Sequence, residues 1–219
     1  MLVDGISYYL LSFFISYFLP CRGITMLTKS RMKEHYGCFL PVNNEPLKIL
    51  SDEKYGVYPY MIEKIVEQLD TCITIHKRVL VVRFDLSLDE YSGDNHTIST
   101  FINRQKQRMF KTYRVKNIGH AWKREQETSK AQHYHVALFI DGNKIQYPSK
   151  LLRQIKAKWF KHGRCWIPDD CFYYLDESKA NFKQMRGEAI YRLSYLGKTR
   201  GTGYKDAQSK NYSVSRLSR

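Results

Sequence analysis

Two histidines separated by a single residue are the first side chains in this sequence that could do chemistry together. His133 and His135 open an apolar run that predicts a strand over residues 133–140. Because residues i and i+2 of a strand point to the same face, the two imidazoles would lie side by side and Tyr134 would face the other way. Glu125 stands near the end of the preceding predicted strand, so a hairpin could place its carboxylate beside them.

Two imidazoles and a carboxylate form a ligand set for a divalent cation that keeps open positions for water or phosphate oxygens. Mg²⁺ or Mn²⁺ would suit phosphate chemistry at such a site. The alternative is that the histidine pair arises by chance and that Glu125 is a solvated surface charge. His120 precedes Glu125 by an odd number of residues, so it would face the other side of a regular strand and is expected to be structural or on the surface.

A second group of reactive side chains consists of Tyr191, Tyr195 and Lys198, spaced as i, i+4 and i+7. On a continuous helix this spacing predicts a single stripe. A phenol is a weak nucleophile at neutral pH because its reference pKa is about 10, but it can attack a phosphodiester whose oxygens a metal polarises. One tyrosine could then hold a DNA end while the other attacks, and Lys198 could stabilise the phenolate or the transferred phosphate. The alternative is an amphipathic helix in a chain that has 17 tyrosines.

Several predicted elements must position these groups. Their order of strand, helix, strand, strand and helix, with hairpins, predicts an α+β fold with a central, mainly antiparallel sheet flanked by helices. Residues 22–57 are turn-rich, because prolines and asparagines break any long element there. The predicted helices cover residues 58–69, 97–113, 150–160 and 181–198, and the predicted strands cover 79–86, 118–125, 133–140 and 164–168.

Composition narrows the class of protein. The 219 residues include 36 Lys plus Arg against 21 Asp plus Glu, a net charge of +15 that favours a polyanionic partner such as nucleic acid. With 43% hydrophobic and 26% charged residues, the chain is neither a disordered tail nor a polytopic membrane protein. Its 5 cysteines are odd in number and form no CxxC pair, which argues against a disulfide framework or a four-thiolate zinc site. We expect a cytoplasmic, bacterial protein whose thiols are reduced.

The first residues differ from the rest. Residues 5–21 carry no charge, and 6–19 are rich in Leu, Phe, Ile and Tyr. A membrane span needs about 20 apolar residues, so this segment could be a membrane anchor, a packed or partner-binding helix, or an upstream extension of the reading frame before Met26; we favour the extension. The chain then divides into this extension (1–25), an N-terminal segment (26–57), the main domain (58–200) and a basic flexible tail (201–219).

Together the motifs resemble those of HUH-type endonucleases, the initiators of rolling-circle replication. His133-Tyr134-His135 fits their His-hydrophobic-His motif, and Glu125 lies where many members place a metal-binding acid. The Tyr191, Tyr195 and Lys198 spacing is similar to that of two-tyrosine initiators such as the gene A protein of small icosahedral phages. Over about residues 45–200, the blocks at 81–85, 122–135 and 195–198 resemble more closely the YagK/YfjJ C-terminal domain family, a prophage and inovirus group related to gene-two-type replication proteins of filamentous phages.

The resemblance implies a function. It implies a metal-dependent enzyme of HUH/Rep fold, similar to ferredoxin and RRM sheets, that nicks and joins single-stranded DNA at a replication origin. The cut would leave a 5′-phosphotyrosine and a free 3′-hydroxyl that primes synthesis, so a host helicase and polymerase would be partners and no membrane would be involved. A catalytically silent, prophage-derived DNA-binding regulator is the alternative.

Basic residues elsewhere suit a DNA-binding role. One basic stretch covers residues 104–111 and a second covers residues 150–164. The second stretch is interleaved with Trp159, Phe160 and Trp166, which could stack on unpaired bases. The alternative is that the lysines only solvate helix faces and that Trp159, in particular, belongs to the core. The candidate nucleic-acid contacts are Arg104, Lys106, Arg108, Lys156, Lys158, Arg192 and Arg200.

Overall fold

The computed structural model of the chain describes residues 33–51, 54–126, 131–201 and 210–218. In chain order the elements are β1 (Phe39–Val42), β2 (Glu45–Lys48), α1 (Pro59–His76), β3 (Arg78–Ser87), α2 (His96–Tyr113), β4 (Gly119–Glu125), β5 (His133–Asp141), α3 (Ser149–Trp159), β6 (Cys165–Trp166), β7 (Phe172–Asp176), α4 (Phe182–Leu193), a 3₁₀ helix (Ser194–Gly197) and β8 (Tyr212–Val214).

Among the described residues the central sheet has six strands, of which five follow the order β6-β3-β5-β4-β8 and the sixth, β7, lies beside β3. β7 pairs with the same edge of β3 as β6 does, so the two short strands share that edge along its length. Every pairing in this sheet is antiparallel. The α+β fold with a mainly antiparallel sheet, predicted from the sequence, is therefore confirmed.

Helices cover both faces of the sheet. On β3, Val79 and Val81 pack with residues of α1 and α4, whereas Leu80 and Val82 pack with residues of α2 and α3. Because both faces are buried, β3 is a continuous apolar run rather than an alternating one. Burying one such side chain contributes roughly 1.5–3 kcal/mol, so the two cores hold the sheet rigidly between the helix layers.

The β1–β2 hairpin was not predicted from the sequence. Asn43 and Asn44 form its turn with φ angles of 51° and 64°, a left-handed conformation that asparagine tolerates and that fits the twist of a two-residue hairpin. Leu40, Val42 and Leu47 are buried in the core shared with α1 and α4. The turn signal was visible in the sequence, but the flanking prolines concealed the short strands.

Several predicted boundaries need correction. α1 continues past residue 69 because Cys72 and Ile73 are also buried, and it ends where Lys77 adopts a left-handed conformation. The interpretation of residues 201–219 as a flexible tail is wrong for Tyr212–Val214, since β8 pairs with β4 and covers its free edge. β7 was also missed. The helix limits of α2 and α3 agree with the prediction to within one residue.

None of the helices within the described ranges is long and apolar enough to cross a membrane. The apolar segment at residues 5–19 lies outside the described residues.

Candidate active site

Strand pairing brings the two histidines and the glutamate together. Glu125 on β4 is directly opposite His133 on β5. Glu125 Oε2 lies 3.4 Å from His133 Nε2 and 3.0 Å from His135 Nε2. One ligand atom from each of the three residues lies within 4.8 Å of the other two. The structure thus places the predicted ligands in one group that could hold a metal ion.

The donor set and its surroundings fit a divalent cation. Two imidazole nitrogens and one carboxylate oxygen leave further coordination positions for water or substrate oxygens. The side chains of His135 and Glu125 are 7% and 10% exposed, whereas that of His133 is 34% exposed, so the group opens to solvent on one side. The opening is a cavity of about 270 Å³ lined by Tyr55, Glu125, His133, His135, Tyr195, Lys198 and Arg200.

The local charges keep the glutamate ionised. Burial alone would raise the pKa of Glu125, but hydrogen bonds from His133 and His135, together with the charge of Lys123, hold that pKa well below its ordinary value. Burial lowers the pKa of His135, but the carboxylates of Asp85 and Glu125 outweigh it and raise the pKa overall. A metal ion bound at Nε2 would therefore compete with a proton.

Asp85 is a site residue that the sequence analysis missed. It lies on β3 opposite His135, and its Oδ1 is 2.8 Å from His135 Nδ1, off the line that a hydrogen bond requires. A carboxylate behind the second nitrogen of a ligating histidine fixes the orientation of the ring. The available signal was a charged pair, Arg83 and Asp85, on one face of an otherwise apolar strand.

Lys123 is a second residue that was missed. Its side chain is only 1% exposed. Its Nζ contacts Glu125 Oε1 at 2.5 Å and the backbone oxygens of Lys198 and Arg200 at 2.5 and 3.0 Å. A buried ammonium needs such partners to offset desolvation. Lys123 therefore fastens the segment after the 3₁₀ helix to the strand that carries Glu125.

Tyr195 lies over the histidine group. It belongs to the 3₁₀ helix, and its ring centroid is 4.8 Å from that of His135, nearly perpendicular to it. Two cations contact the same ring: Arg83 Cζ lies 4.5 Å and Lys198 Nζ lies 4.4 Å from its centroid. Burial, and then the negative charge of Glu125, raise the pKa of Tyr195, while Arg83 opposes the shift.

Tyr191 is not among the residues that line the cavity, and the predicted single stripe is wrong. α4 ends at Leu193, and the chain continues as a 3₁₀ helix. Each residue turns about 100° in an α-helix but about 120° in a 3₁₀ helix, so the change separates the directions of the two phenols. Lys198 lies beyond both helices in an extended conformation. The Tyr191 ring has Lys48 Nζ 5.5 Å from its centroid.

Gly197 allows the 3₁₀ helix to approach α1 closely. A Cβ atom at this position would lie 2.6 Å from Ile62 Cγ1. The Tyr58 backbone N–H donates a 2.7 Å hydrogen bond to the Gly197 oxygen, which fixes the turn against the start of α1. The position of Tyr195 thus depends on a glycine two residues later.

The predicted nucleic-acid contacts fall in different places. Arg104, Arg108, Lys156 and Lys158 are exposed on α2 and α3, on the other side of the sheet from the cavity. Arg200 lines the cavity. Arg192 Nη2 donates a 2.6 Å hydrogen bond to the Asp169 oxygen.

Lys106 does not point freely to solvent. It is half-buried, and its Nζ donates a 2.9 Å hydrogen bond to Nδ1 of His120. Burial, and then the Lys106 charge, lower the pKa of His120 to about 3, so the imidazole is neutral and accepts that bond. The expectation that His120 is structural agrees with this contact, whereas Lys106 is removed from the exposed phosphate-binding set.

A family comparison covers the whole site. The family model described as the YagK/YfjJ C-terminal domain matches residues 43–215. The chain belongs to the YagK/YfjJ C-terminal domain family. The matched range contains β3, β4, β5, α4 and the 3₁₀ helix, and hence every residue of the candidate active site. Searches of curated proteins and of solved structures found no match.

Proposed function

We propose that this YagK/YfjJ-family protein is an HUH-type endonuclease that nicks and joins single-stranded DNA to initiate rolling-circle-type replication of a phage or prophage element. The observation that carries the proposal is the position of Tyr195, whose ring lies 4.8 Å from that of His135 beside the Glu125, His133 and His135 group. A phenol next to a potential metal centre is an arrangement that allows covalent attack on a phosphodiester.

The reaction consists of one displacement at phosphorus. The Tyr195 oxygen attacks a backbone phosphate, a tyrosine–phosphorus bond forms, and the bond from phosphorus to the 3′-oxygen breaks. The phenolic proton passes to solvent, and the departing oxygen takes up a proton to become a 3′-hydroxyl. Attack by a 3′-hydroxyl on the phosphotyrosine reverses the step and joins the strands, since the ester retains the energy of the broken bond.

The chain supplies charge stabilisation for this step. Arg83 and Lys198 contact the Tyr195 ring and would favour its phenolate, whose formation burial and Glu125 oppose. His133, His135 and Glu125 would hold the cation, Mg²⁺ or Mn²⁺, which when bound would polarise the phosphoryl oxygens. The chain then acts with Tyr195 as the first nucleophile, and Tyr191 has no place in the first cut.

A second candidate function, a silent DNA-binding regulator, is favoured by one observation. Lys123 Nζ already contacts Glu125 Oε1 at 2.5 Å, so the carboxylate has a compensating positive charge without any metal. In that case salt-sensitive DNA binding would persist unchanged in His133→Ala and His135→Ala variants, and no cutting would occur.

The test uses randomised DNA, so the origin sequence does not have to be identified first. Protein, Mn²⁺ and a pool of single-stranded oligonucleotides of randomised sequence are incubated, and complexes stable to SDS are captured and sequenced. We expect covalent adducts with the native chain and with Tyr191→Phe, and none with Tyr195→Phe or the His133→Ala/His135→Ala double variant. Adducts that survive Tyr195→Phe would exclude the proposed nucleophile, and no adducts with any protein would favour the regulator.

A further inference from the structure

A second cavity lies on the face of the sheet opposite the candidate active site. It has a volume of about 530 Å³ and is bordered by α2 and by the end of α3. Its cationic side chains are Arg104 and Arg108 from α2, and Lys158 and Lys161 from the end of α3 and the turn that follows. No acidic residue is found among the described residues that line it. We call this cavity the basic groove.

The groove contains a buried polar group that lacks a partner. Gln105 lines the groove and is only 2% exposed, and its Nε2 makes no hydrogen bond to any residue that the structure describes. A buried amide without a partner has lost its hydrogen bonds to water and gained none in return, so few folded proteins keep one. An acceptor supplied from outside, such as a phosphate oxygen between the flanking arginines, would be the missing partner.

The concentration of positive charge affects a neighbouring histidine. Burial lowers the pKa of His162, which also lines the groove, and the charges of Lys161 and Arg104 lower it further. The His162 ring is therefore neutral at physiological pH and adds no positive charge to the groove. The positive charge of the groove resides on its lysines and arginines.

An aromatic side chain completes the set. Phe160 lines the same groove and is 82% exposed, although Trp159 beside it is fully buried against Phe101. A phenylalanine held in water among lysines is a platform on which an unpaired base can stack, while the lysines contact the backbone phosphates. One free phosphate would engage only part of this set, because the groove offers four cations, an amide and a ring.

We infer that the basic groove binds a segment of single-stranded nucleic acid, with phosphates on Arg104, Arg108, Lys158 and Lys161 and a base on Phe160. This inference goes beyond the proposed nicking, since the groove is on the other side of the sheet from Tyr195 and requires neither the metal nor the cut. A strand held there would be anchored to the protein while a different part of it enters the cavity.

The test measures binding without any cutting. Fluorescence anisotropy measures the binding of a labelled oligothymidylate of about 16 nucleotides, the upper end of the range that one single-strand-binding fold covers. The buffer contains EDTA so that no nicking occurs. The Arg104→Ala/Lys158→Ala double variant is compared with Lys144→Ala/Lys183→Ala, which removes the same charge from exposed positions outside the groove. All four side chains are exposed, and thermal unfolding checks that each variant folds.

We expect the groove double variant to bind roughly tenfold more weakly than its control and to lower the slope of log affinity against log salt by about 1.4, or 0.7 for each lost phosphate contact. Phe160→Ala should weaken binding at least about fivefold through lost stacking. Gln105→Leu should weaken binding without loss of thermal stability, because leucine fills the site but donates no hydrogen bond.

Three results would overturn the inference. The first is equal affinity of the groove double variant and its control, which would show that only net charge matters. The second is unchanged affinity in Gln105→Leu. The third is unchanged affinity in Phe160→Ala combined with tighter binding of the same sequence as a duplex. Since EDTA prevents nicking, failure here is distinct from failure of the adduct assay that tests the proposed function.

Discussion

The His135 ring lies between two carboxylates, and the one behind it belongs to Asp85, whose Oδ1 is 2.8 Å from His135 Nδ1. On the other side of the ring, Nε2 faces Glu125 Oε2 at 3.0 Å. The Asp85 contact would fix which nitrogen is directed at a metal ion and would raise the basicity of the ring. Asp85 is thus a positioning residue for the candidate metal centre rather than a ligand in it.

The first prediction concerns this contact. Asp85→Asn should lower the affinity for Mn²⁺ by about 10- to 100-fold, because the neutral amide places no negative charge behind the imidazole and so lowers the basicity of the ring. Isothermal titration calorimetry measures the affinity. Asp89→Asn, at an exposed position, is the matched control and should bind Mn²⁺ as the native chain does. Equal affinity in the two variants would contradict the role assigned to Asp85.

The second prediction concerns the buried ammonium. Lys123→Met keeps the packed stem but leaves Glu125 Oε1 without its cation, so the metal-free protein should lose roughly 3 kcal/mol of unfolding free energy. A metal ion would supply the missing positive charge. Mn²⁺ should therefore raise the unfolding temperature of this variant more than that of the native chain.

The control for that experiment is an exposed ion pair. Lys64 contacts Glu67 at 2.6 Å on the surface of α1, and Lys64→Met should cost less than about 1 kcal/mol. Its response to Mn²⁺ should match that of the native chain. If Mn²⁺ raises the unfolding temperature of all three proteins equally, Lys123 and the metal do not share Glu125.

The third prediction separates the nucleophile from the metal ligands. Gly197→Ala places a Cβ atom 2.6 Å from Ile62 Cγ1. Because the Ile62 side chain is itself buried, we expect the 3₁₀ helix to shift and Tyr195 to move with it. Adduct formation should fall at least about tenfold, since small displacements of reacting groups slow a reaction strongly. Mn²⁺ affinity should be unchanged, because the ligands lie on β4 and β5.

Gly187→Ala is the matched control for this variant. Gly187 lies within α4, and a Cβ atom there meets nothing within 4 Å. Alanine should stabilise the helix by roughly 0.5–1 kcal/mol and leave adduct formation intact. A Gly197→Ala protein that forms adducts as fast as Gly187→Ala would show that the 3₁₀ helix does not position the nucleophile.

The metal group could be predicted from the sequence because it depends on local geometry. His133 and His135 share a face through strand alternation, and Glu125 needs only the hairpin between two consecutive strands. Asp85 and Lys123 could not be assigned in this way. Their roles depend on the pairing of β3 with β5 and on the return of the chain after α4 to β4, and both are long-range contacts.

The tyrosine pair shows a different limit. The spacing of Tyr191 and Tyr195 indicates one stripe only if the helix stays regular, and the change to a 3₁₀ helix has no composition signal of its own. Burial of Ser194 instead accompanies the change: its hydroxyl donates to the Tyr191 oxygen and accepts from the Leu50 N–H. A long-range contact with Leu50, just after the unpredicted β2, therefore lies at the change of helix type that precedes Tyr195.

The last prediction is a pH dependence of stability that arises far from the metal group. The pKa of His120 is about 3 in the folded chain and 6.5 in an unfolded one, so below pH 6.5 the unfolded state takes up a proton that the folded state does not. The stability that the neutral ring contributes is therefore complete above pH 6.5 and is lost progressively as the pH falls toward 3. His120→Gln, which can still accept from Lys106, should remove roughly 2 kcal/mol of the loss between pH 7.5 and pH 5. Urea unfolding at both pH values measures this difference, and His96→Gln, at an exposed position, should leave it unchanged. The same pH dependence in the native chain and in His120→Gln would mean that this imidazole is not kept neutral by burial and Lys106.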